Sequence, residues 1–235
     1  MAVRREARAR PPAESRDRLL GAAEQLFADR GYSAASVRGI TTAAGCNVAA
    51  VNYYFGGKDR LYREVFRRGL AALRARRIAS IRRAMEDAGD GATLEGLLEA
   101  FTSAFLEPAV APAGGGRFAE IIAREWMDPH LPRDVFRKEL VGPVREALTD
   151  AILATCPGLD RSKANLCVQS IVAQLVQVIQ HRRLFGTLGE WSRNPLRLEE
   201  VAEHIVRFSA AGTRASAGDR RGAPASSGRT GARPR

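Results

Sequence analysis

Three cysteines and three histidines are all that 235 residues offer in soft or switchable side chains. Cys46, Cys156 and Cys167 are too few and too scattered for a disulfide framework or a zinc cluster, and they read as reduced, buried thiols. The histidines stand far apart. No G-x-S-x-G, no G-x-x-x-x-G-K and no H-E-x-x-H is present, so the constellations of hydrolases, P-loop enzymes and zinc proteases are missing and no cofactor or metal is expected. The glycine run at 114–116 reads as a linker. No uninterrupted apolar stretch reaches about 18 residues, and the charged N-terminus is not followed by the apolar core of a signal peptide. The expectation is a soluble, cytoplasmic protein that is not an enzyme. Alternation of apolar and polar residues never lasts, so no strand is expected.

Positive charge is there in excess, and it is uneven. The net charge is +11; residues 1–16 hold five Arg against two Glu and residues 213–235 hold six Arg against one Asp, so the two ends carry +8 of it. Both ends are rich in Ala, Gly, Pro and Ser. They cannot bury enough apolar surface to offset the entropy of ordering, and residues 1–15 and 213–235 are expected to be disordered basic tails suited to a polyanion.

Between the tails the pattern is helical. Leu19, Ala23 and Leu26, with Leu20 and Phe27 alongside, mark one buried face of a helix that begins near Arg16 and ends at Gly31. Ser36 can cap a second helix carrying Val37, Ile40 and Ala44, which Gly45 stops, and Asn47 can cap a third over residues 48–54. Gly56 and Gly57 break the chain before a long helix from Lys58 with Leu61, Val65, Phe66, Leu70 and Leu73 on one side. Further helices are expected over residues 93–106 (closed by Pro108), 117–127, 134–155 (with a kink or start near Pro143), 161–185 (capped by Asp160) and 196–211. The class is all-α, about nine helices, in a small front bundle and a larger rear one.

The stretch "AAGCNVAAVNYYFGGKDRLY", residues 43–62, carries the functional signal. Two short helices joined by a glycine turn form a helix-turn-helix, whose second helix enters the DNA major groove with its N-terminal residues facing base edges. Here those residues are Asn47, Val48, Ala49 and Ala50. Small side chains permit close approach, a methyl group can meet a thymine methyl, and Asn52 one turn later can bond adenine in pairs. Tyr53, Gly57 and Lys58 follow as the phosphate grip, helped by free N–H groups at a helix start, and Arg38 can face a phosphate from the preceding helix. Tyr54 and Phe55 are expected in the core.

Residues 16–66, with the Phe27–Gly31–Tyr32 helix end, the Ala44–Gly45 turn and the Tyr54–Phe55 pair followed by Lys58, resemble the DNA-binding domain of the TetR/AcrR family of transcriptional regulators. With "AREWMDPH" at 123–130 the likeness extends to the CerR/CecR-type subgroup. The resemblance implies a helix-turn-helix domain over residues 16–62 and an effector-binding and dimerisation domain over residues 63–212. It also implies a homodimer on a near-palindromic operator, repressing until a small effector loosens it. Many relatives carry Ser, Lys or Thr where Val48 and Ala49 stand, which shifts direct readout onto Asn47, Asn52 and Tyr53 or onto DNA shape.

Candidate effector contacts are weaker in the sequence. Phe101, Phe105 and Trp126 can make an apolar wall, with Arg124 or His130 orienting a polar ligand; a buried Trp beside a surface ion pair is the plainer alternative. Ser170, Gln174, Gln177 and His181 recur at i, i+4, i+7 and i+11 along an otherwise apolar helix, and can line a pocket, face a second subunit or face water. The last two long helices are expected at the dimer interface, with Val201, Ile205 and Phe208 as the final helix's apolar stripe. Two rivals remain: an architectural or non-specific DNA binder using the tails, and a redox sensor through Cys46.

Overall fold

The computed structural model describes residues 12–110, 116–185 and 197–218. Every regular element among them is helical. The front bundle holds α1 (Pro12–Ala34), α2 (Val37–Ala44), α3 (Ala49–Phe55) and the first turns of α4 (Lys58–Ala88). The rear bundle adds α5 (Leu94–Val110), α6 (Arg117–Met127), a single turn α7 (Arg133–Phe136), α8 (Gly142–Thr155), α9 (Arg161–Phe185) and α10 (Leu198–Gly218). A π turn, Arg137–Val141, joins α7 to α8. Taken as one, these two leave nine helices among the described residues.

The punctuation works as the residue types dictate. Gly31 breaks α1 with φ 77, and only a short helical turn follows it. The Ser36 side chain accepts from the Gly39 N–H at 3.0 Å, and Asp160 accepts from the Lys163 N–H at 2.9 Å, each satisfying a donor that the helix start leaves open. Pro143 lacks an N–H for the Glu139 carbonyl one turn back. Arg74 supplies the donor instead, at 2.8 Å, and its side chain and that of Arg67 also meet the Glu139 carboxylate, fixing the π turn to α4.

Leu19, Leu20, Ala23 and Phe27 of α1, Ile40 of α2, Val51 of α3 and Leu61 and Val65 of α4 form the front core. Each fully buried Leu or Phe contributes about 1.5–3 kcal/mol, which is how helices as short as α2 and α3 persist. Phe101 and Phe105 of α5, Leu148 and Ile152 of α8, Leu175 of α9 and Ile205 of α10 are buried in the rear core.

Three boundaries differ from the sequence expectation. α1 starts at Pro12, inside the expected N-terminal tail. Pro108 does not close α5, which continues to Val110, because a proline near a helix end removes one backbone bond without stopping the turn. The tail expected from residue 213 begins as helix: Thr213 is buried, Arg214 is paired with Glu95 of α5, and Lys163 of α9 donates to the Ser216 carbonyl at 3.1 Å, so packing carries α10 to Gly218. The rest of both tails, residues 1–11 and 219–235, lies outside the described residues, as does most of the 108–116 connection.

Gly69 marks where α4 and α6 come closest. A Cβ there would lie 2.2 Å from the Phe118 ring, whereas one on Gly21 of α1 would meet nothing within 4 Å. Gly69→Ala is therefore expected to lower the unfolding free energy by about 1–3 kcal/mol through overpacking, and Gly21→Ala to raise it by about 0.5–1 kcal/mol. Urea denaturation followed by circular dichroism reads both, and equal shifts would contradict the close approach.

Candidate nucleic-acid interface

The turn between α2 and α3 depends on Gly45, at φ 61 and ψ 38, a conformation that costs a side-chain-bearing residue. Its N–H bonds back to the Thr41 and Thr42 carbonyls, and the Cys46 N–H follows to Thr41 at 2.9 Å. The Asn47 side-chain oxygen then accepts from the Ala49 N–H at 2.9 Å, so Asn47 opens α3 as a cap and leaves its amide nitrogen as the donor end.

Only seven residues long, α3 is held from one side. Val51 and Phe55 are buried, and Ala50 and Tyr54 pack partly against the core. The other face is open: Asn47, Ala49 and Asn52 are exposed, Val48 is 50% exposed and Tyr53 80%. An aromatic ring so fully in water, on a helix whose other ring positions are packed, is what a contact surface leaves behind. Of the residues read from the sequence as facing base edges, Asn47, Val48, Ala49 and Asn52 share this outward face with Tyr53, whereas Ala50, beside the buried Val51, packs partly against the core; Arg38 is exposed on the first turn of α2.

Lys58 differs from the simple expectation of a cation held out to a phosphate. Its ammonium lies 4.4 Å from the Tyr32 ring centre and donates to the Ser33 carbonyl at 3.4 Å, because the ring face and a carbonyl attract a cation more than open water does. Gly57, at φ 123, still brings the start of α4 beside it. The Tyr32 hydroxyl bonds the Asp59 carboxylate; that bond, then burial, pushes its phenol up to about 12, so it stays a donor at neutral pH.

Behind Tyr32 lies Glu125, which the plainer sequence reading paired with Arg124 on the surface beside a buried Trp126; the acid is buried and the Trp half exposed. Glu125 of α6 is 8% exposed, yet its carboxylate is fully occupied: one oxygen accepts from the Tyr62 hydroxyl at 2.8 Å, the other from the His130 and Leu131 N–H groups at 2.8 and 2.6 Å. Burial first, then that bond, pushes the Tyr62 phenol well up. The His130 ring sits 4.2 Å from Tyr32. Arg124, beside it, donates to the Ala28 and Asp29 carbonyls at 3.0 and 3.2 Å, capping the helical part of α1 before Gly31. α6 therefore grips both the end of α1 and the first turns of α4. The signal was present: Phe118, Ile121, Ile122 and Glu125 share one apolar stripe, and an acid on such a stripe must be bonded.

The expected effector residues do not meet at one place. Arg124 and His130 belong to this link, Arg124 through its bonds to the end of α1 and His130 through its tilted ring contact with Tyr32. Trp126, half exposed, contacts Phe136 rather than Phe101 or Phe105, which pair with each other inside the rear core. Ser170 and Gln177 are exposed on the outer side of α9, Gln174 bonds to the Ser170 carbonyl and Ser209 of α10, and His181 is half-buried further along. A groove of about 470 Å³ between α4 and α5 is lined by none of them. Local periodicity placed each on its helix face but carries no information on which helices become neighbours.

A two-turn helix presenting small, polar and aromatic groups from a glycine turn defines a helix-turn-helix DNA-binding protein. Comparison with known proteins agrees: the model of bacterial regulatory proteins of the tetR family matches residues 19–65, and that of the tetracyclin repressor-like C-terminal domain matches residues 99–212. The chain belongs to the TetR family of transcriptional regulators. It is 41% identical over 56 residues to the HTH-type transcriptional repressor KstR2 of Mycolicibacterium smegmatis, a match over 24% of this chain and 27% of that one, about a quarter of the curated relative's length. Solved structures share the whole fold at low identity. A candidate transcriptional regulator of Pseudomonas aeruginosa PAO1 has a TM-score of 0.66 at 19% identity, over 91% of this chain and 98% of that one. A candidate TetR-family regulator of Mesorhizobium loti has 0.63 at 16%, over 88% and 98%. Among the described residues no helix is long and apolar enough to cross a membrane.

Tyr62→Phe leaves one oxygen of Glu125 without its donor, and is expected to cost about 1–3 kcal/mol in urea denaturation. A loss below about 0.3 kcal/mol would mean that the bond does not tie α4 to α6.

Proposed function

We infer that this regulator is a homodimeric repressor acting in the cytoplasm, which binds a near-palindromic operator and is released by a small effector. The observation that carries the reading is the outward face of α3, with Asn47, Val48, Ala49, Asn52 and Tyr53 exposed together over a buried Val51 and Phe55. In this assignment Asn52 reads a base edge, Val48 and Ala49 lie close to the groove floor, and Tyr53, Gly57, Lys58 and Arg38 hold phosphates. Lys58 exchanges its contact with the Tyr32 ring for a phosphate oxygen, a stronger partner for an ammonium.

The dimer reading is supported by the outer sides of α9 and α10. Leu166, at 62% exposure, leads a face that continues through Ser170, Ala173 and Gln177; Phe208, at 63%, leads one that continues through Ala211 and Ala215. Val201 and Ile205, expected on the same stripe as Phe208, pack inward within the subunit. Two outward faces side by side, each led by a large apolar residue and continued by small or polar ones, suit a self-complementary four-helix contact with a second copy. The polar stripe of α9 then belongs to that contact and not to an effector pocket. Leu166→Glu together with Phe208→Glu is expected to convert the dimer to monomer in sedimentation velocity; an unchanged sedimentation coefficient would move the interface elsewhere.

Residues 16–62 act as the reading unit and the rest of the described chain as the effector and dimerisation unit, with α6 passing the signal through Glu125 and Arg124. An effector shifts the population only by binding the DNA-incompetent state more tightly, and a decisive switch takes about 5 kcal/mol of difference. The test is fluorescence anisotropy on DNA from beside the protein's own gene against a scrambled duplex, near physiological salt of about 150 mM. Preference for the native fragment of about a thousandfold or more is expected. Equal binding of both, falling steeply with salt, would favour the basic ends as the principal contact. On the operator, Asn52→Ala is expected to cost about 1–3 kcal/mol and relax preference at one base pair, while Lys58→Ala weakens all duplexes alike and lowers the salt slope. Equal loss on operator and scrambled DNA would remove Asn52 from the readers.

A further inference from the structure

Several arginines along α4 have an acid. Arg76 pairs with Glu107 at 3.1 Å, and Arg67 and Arg74 share Glu139. Arg77 has none. Its guanidinium lies 3.7 Å over the centre of the Phe105 ring, and its Nε is buried with no acceptor. Burial alone drives its pKa down, to about 10, with no carboxylate working the other way. One turn before Phe105 on α5, the Thr102 hydroxyl is also buried without a partner, and the residue is 2% exposed. A buried Nε on a half-buried arginine and a buried hydroxyl, both unsatisfied, are costly, and natural folds seldom keep such groups without a use.

The space around them fits a use. The groove of about 470 Å³ runs between the same two helices, lined by Ser80 and Ala84 of α4 and by Leu97 and Ala100 of α5. The Arg77–Phe105 and Arg76–Glu107 contacts continue that antiparallel pairing, so the groove, whose lining ends at Ser80 and Ala100, lies about one turn along the helix pair from the guanidinium. Its charged side chains, Arg83 and Asp87, stand at the far end on the last turns of α4. A flat cation on an aromatic face, next to aliphatic walls, matches a ligand with an apolar body and one anionic head, and a guanidinium fork matches a carboxylate in two parallel bonds.

We propose that the rear bundle binds an organic carboxylate with an apolar body between α4 and α5, its head taken by Arg77 with Thr102 one turn from the contact, and its body lying along the groove. This rests on the reading of the rear bundle as the effector unit and names the chemical class of the effector.

Hexanoate, octanoate and decanoate are the probes, each against its matched primary alcohol, titrated calorimetrically into the full-length protein and its Arg77→Met and Arg77→Lys variants. In the unchanged protein at least one carboxylate is expected to bind about tenfold or more tighter than its alcohol, the scale of a charge-assisted bond. In Arg77→Met that preference is expected to vanish, and the ligand-free variant to unfold at a higher temperature than the parent, because a buried cation without a partner is gone. Arg77→Lys keeps the charge without the fork and should show a reduced preference; it carries the comparison if the methionine variant does not fold. Three results would overturn the site: no carboxylate binding, equal affinity for carboxylate and alcohol, or a preference that survives Arg77→Met. The operator assay separates the two levels. Carboxylate binding at Arg77 with no effect on DNA affinity leaves the site standing and removes its role in release. Release by neutral compounds alone, with no carboxylate bound, keeps the regulator and removes the site.

Discussion

The buried carboxylate of Glu125 is the constraint on which the relation between the two bundles depends. A charge at 8% exposure is tolerable only with its lone pairs filled, and its partners come from two directions: a phenol on α4 and two backbone N–H groups where the chain leaves α6. Because those N–H groups belong to His130 and Leu131, the same acid fixes the loop that puts His130 against Tyr32. Arg124 adds two bonds to the end of α1. α6 cannot slide along α4 without breaking a bond to a charge, so movement in the rear bundle reaches the front one through defined contacts and not through a soft apolar seam.

Much of the fold was legible because its helices are punctuated by residues with one local meaning. Ser36, Gly45, Asp160 and the Gly56–Gly57 pair act within four residues of themselves, and α6 and α9 have the bounds that their apolar period and caps imply. The expectations that shifted are those where distant packing decided. Composition alone made residues 213–218 look like a tail, but Glu95, 119 positions away, and Lys163 hold that turn of α10 in place. Pro108 looked like a stop because a lost backbone bond weakens a helix, and one lost bond near an end did not terminate it.

Legibility of the site divides the same way. The outward face of α3 follows from which positions of a seven-residue helix must be buried, so Asn47, Asn52 and Tyr53 emerge together. Effector contacts depend on which helices become neighbours, and periodicity is silent on that: Trp126 met Phe136, and the α9 polar stripe divides between outward Ser170 and Gln177 and a Gln174 bonded to Ser209 of α10. Interrupted stripes were the better clue. Glu125 stands where α6 should be apolar, and Arg77 stands between Leu73 and Ile81 where α4 should be; each marks a polar group that the core holds for a reason other than packing.

Uninterrupted from Lys58 to Ala88, α4 spans 31 residues, about 45 Å of rigid rod at about 1.5 Å per residue. Its front end abuts α3 and its rear end borders the α4–α5 groove, so in the proposed function it works as a lever. A tilt of about 5° at the rear carries the front by about 4 Å, more than the width of a hydrogen bond and about a tenth of the 34 Å between successive major grooves on one side of a duplex. In the proposed dimer, geometry of this kind needs no large rearrangement at the groove: a displacement too small to disturb the rear core would be enough, at the far end, to put the two copies of α3 out of step with the DNA.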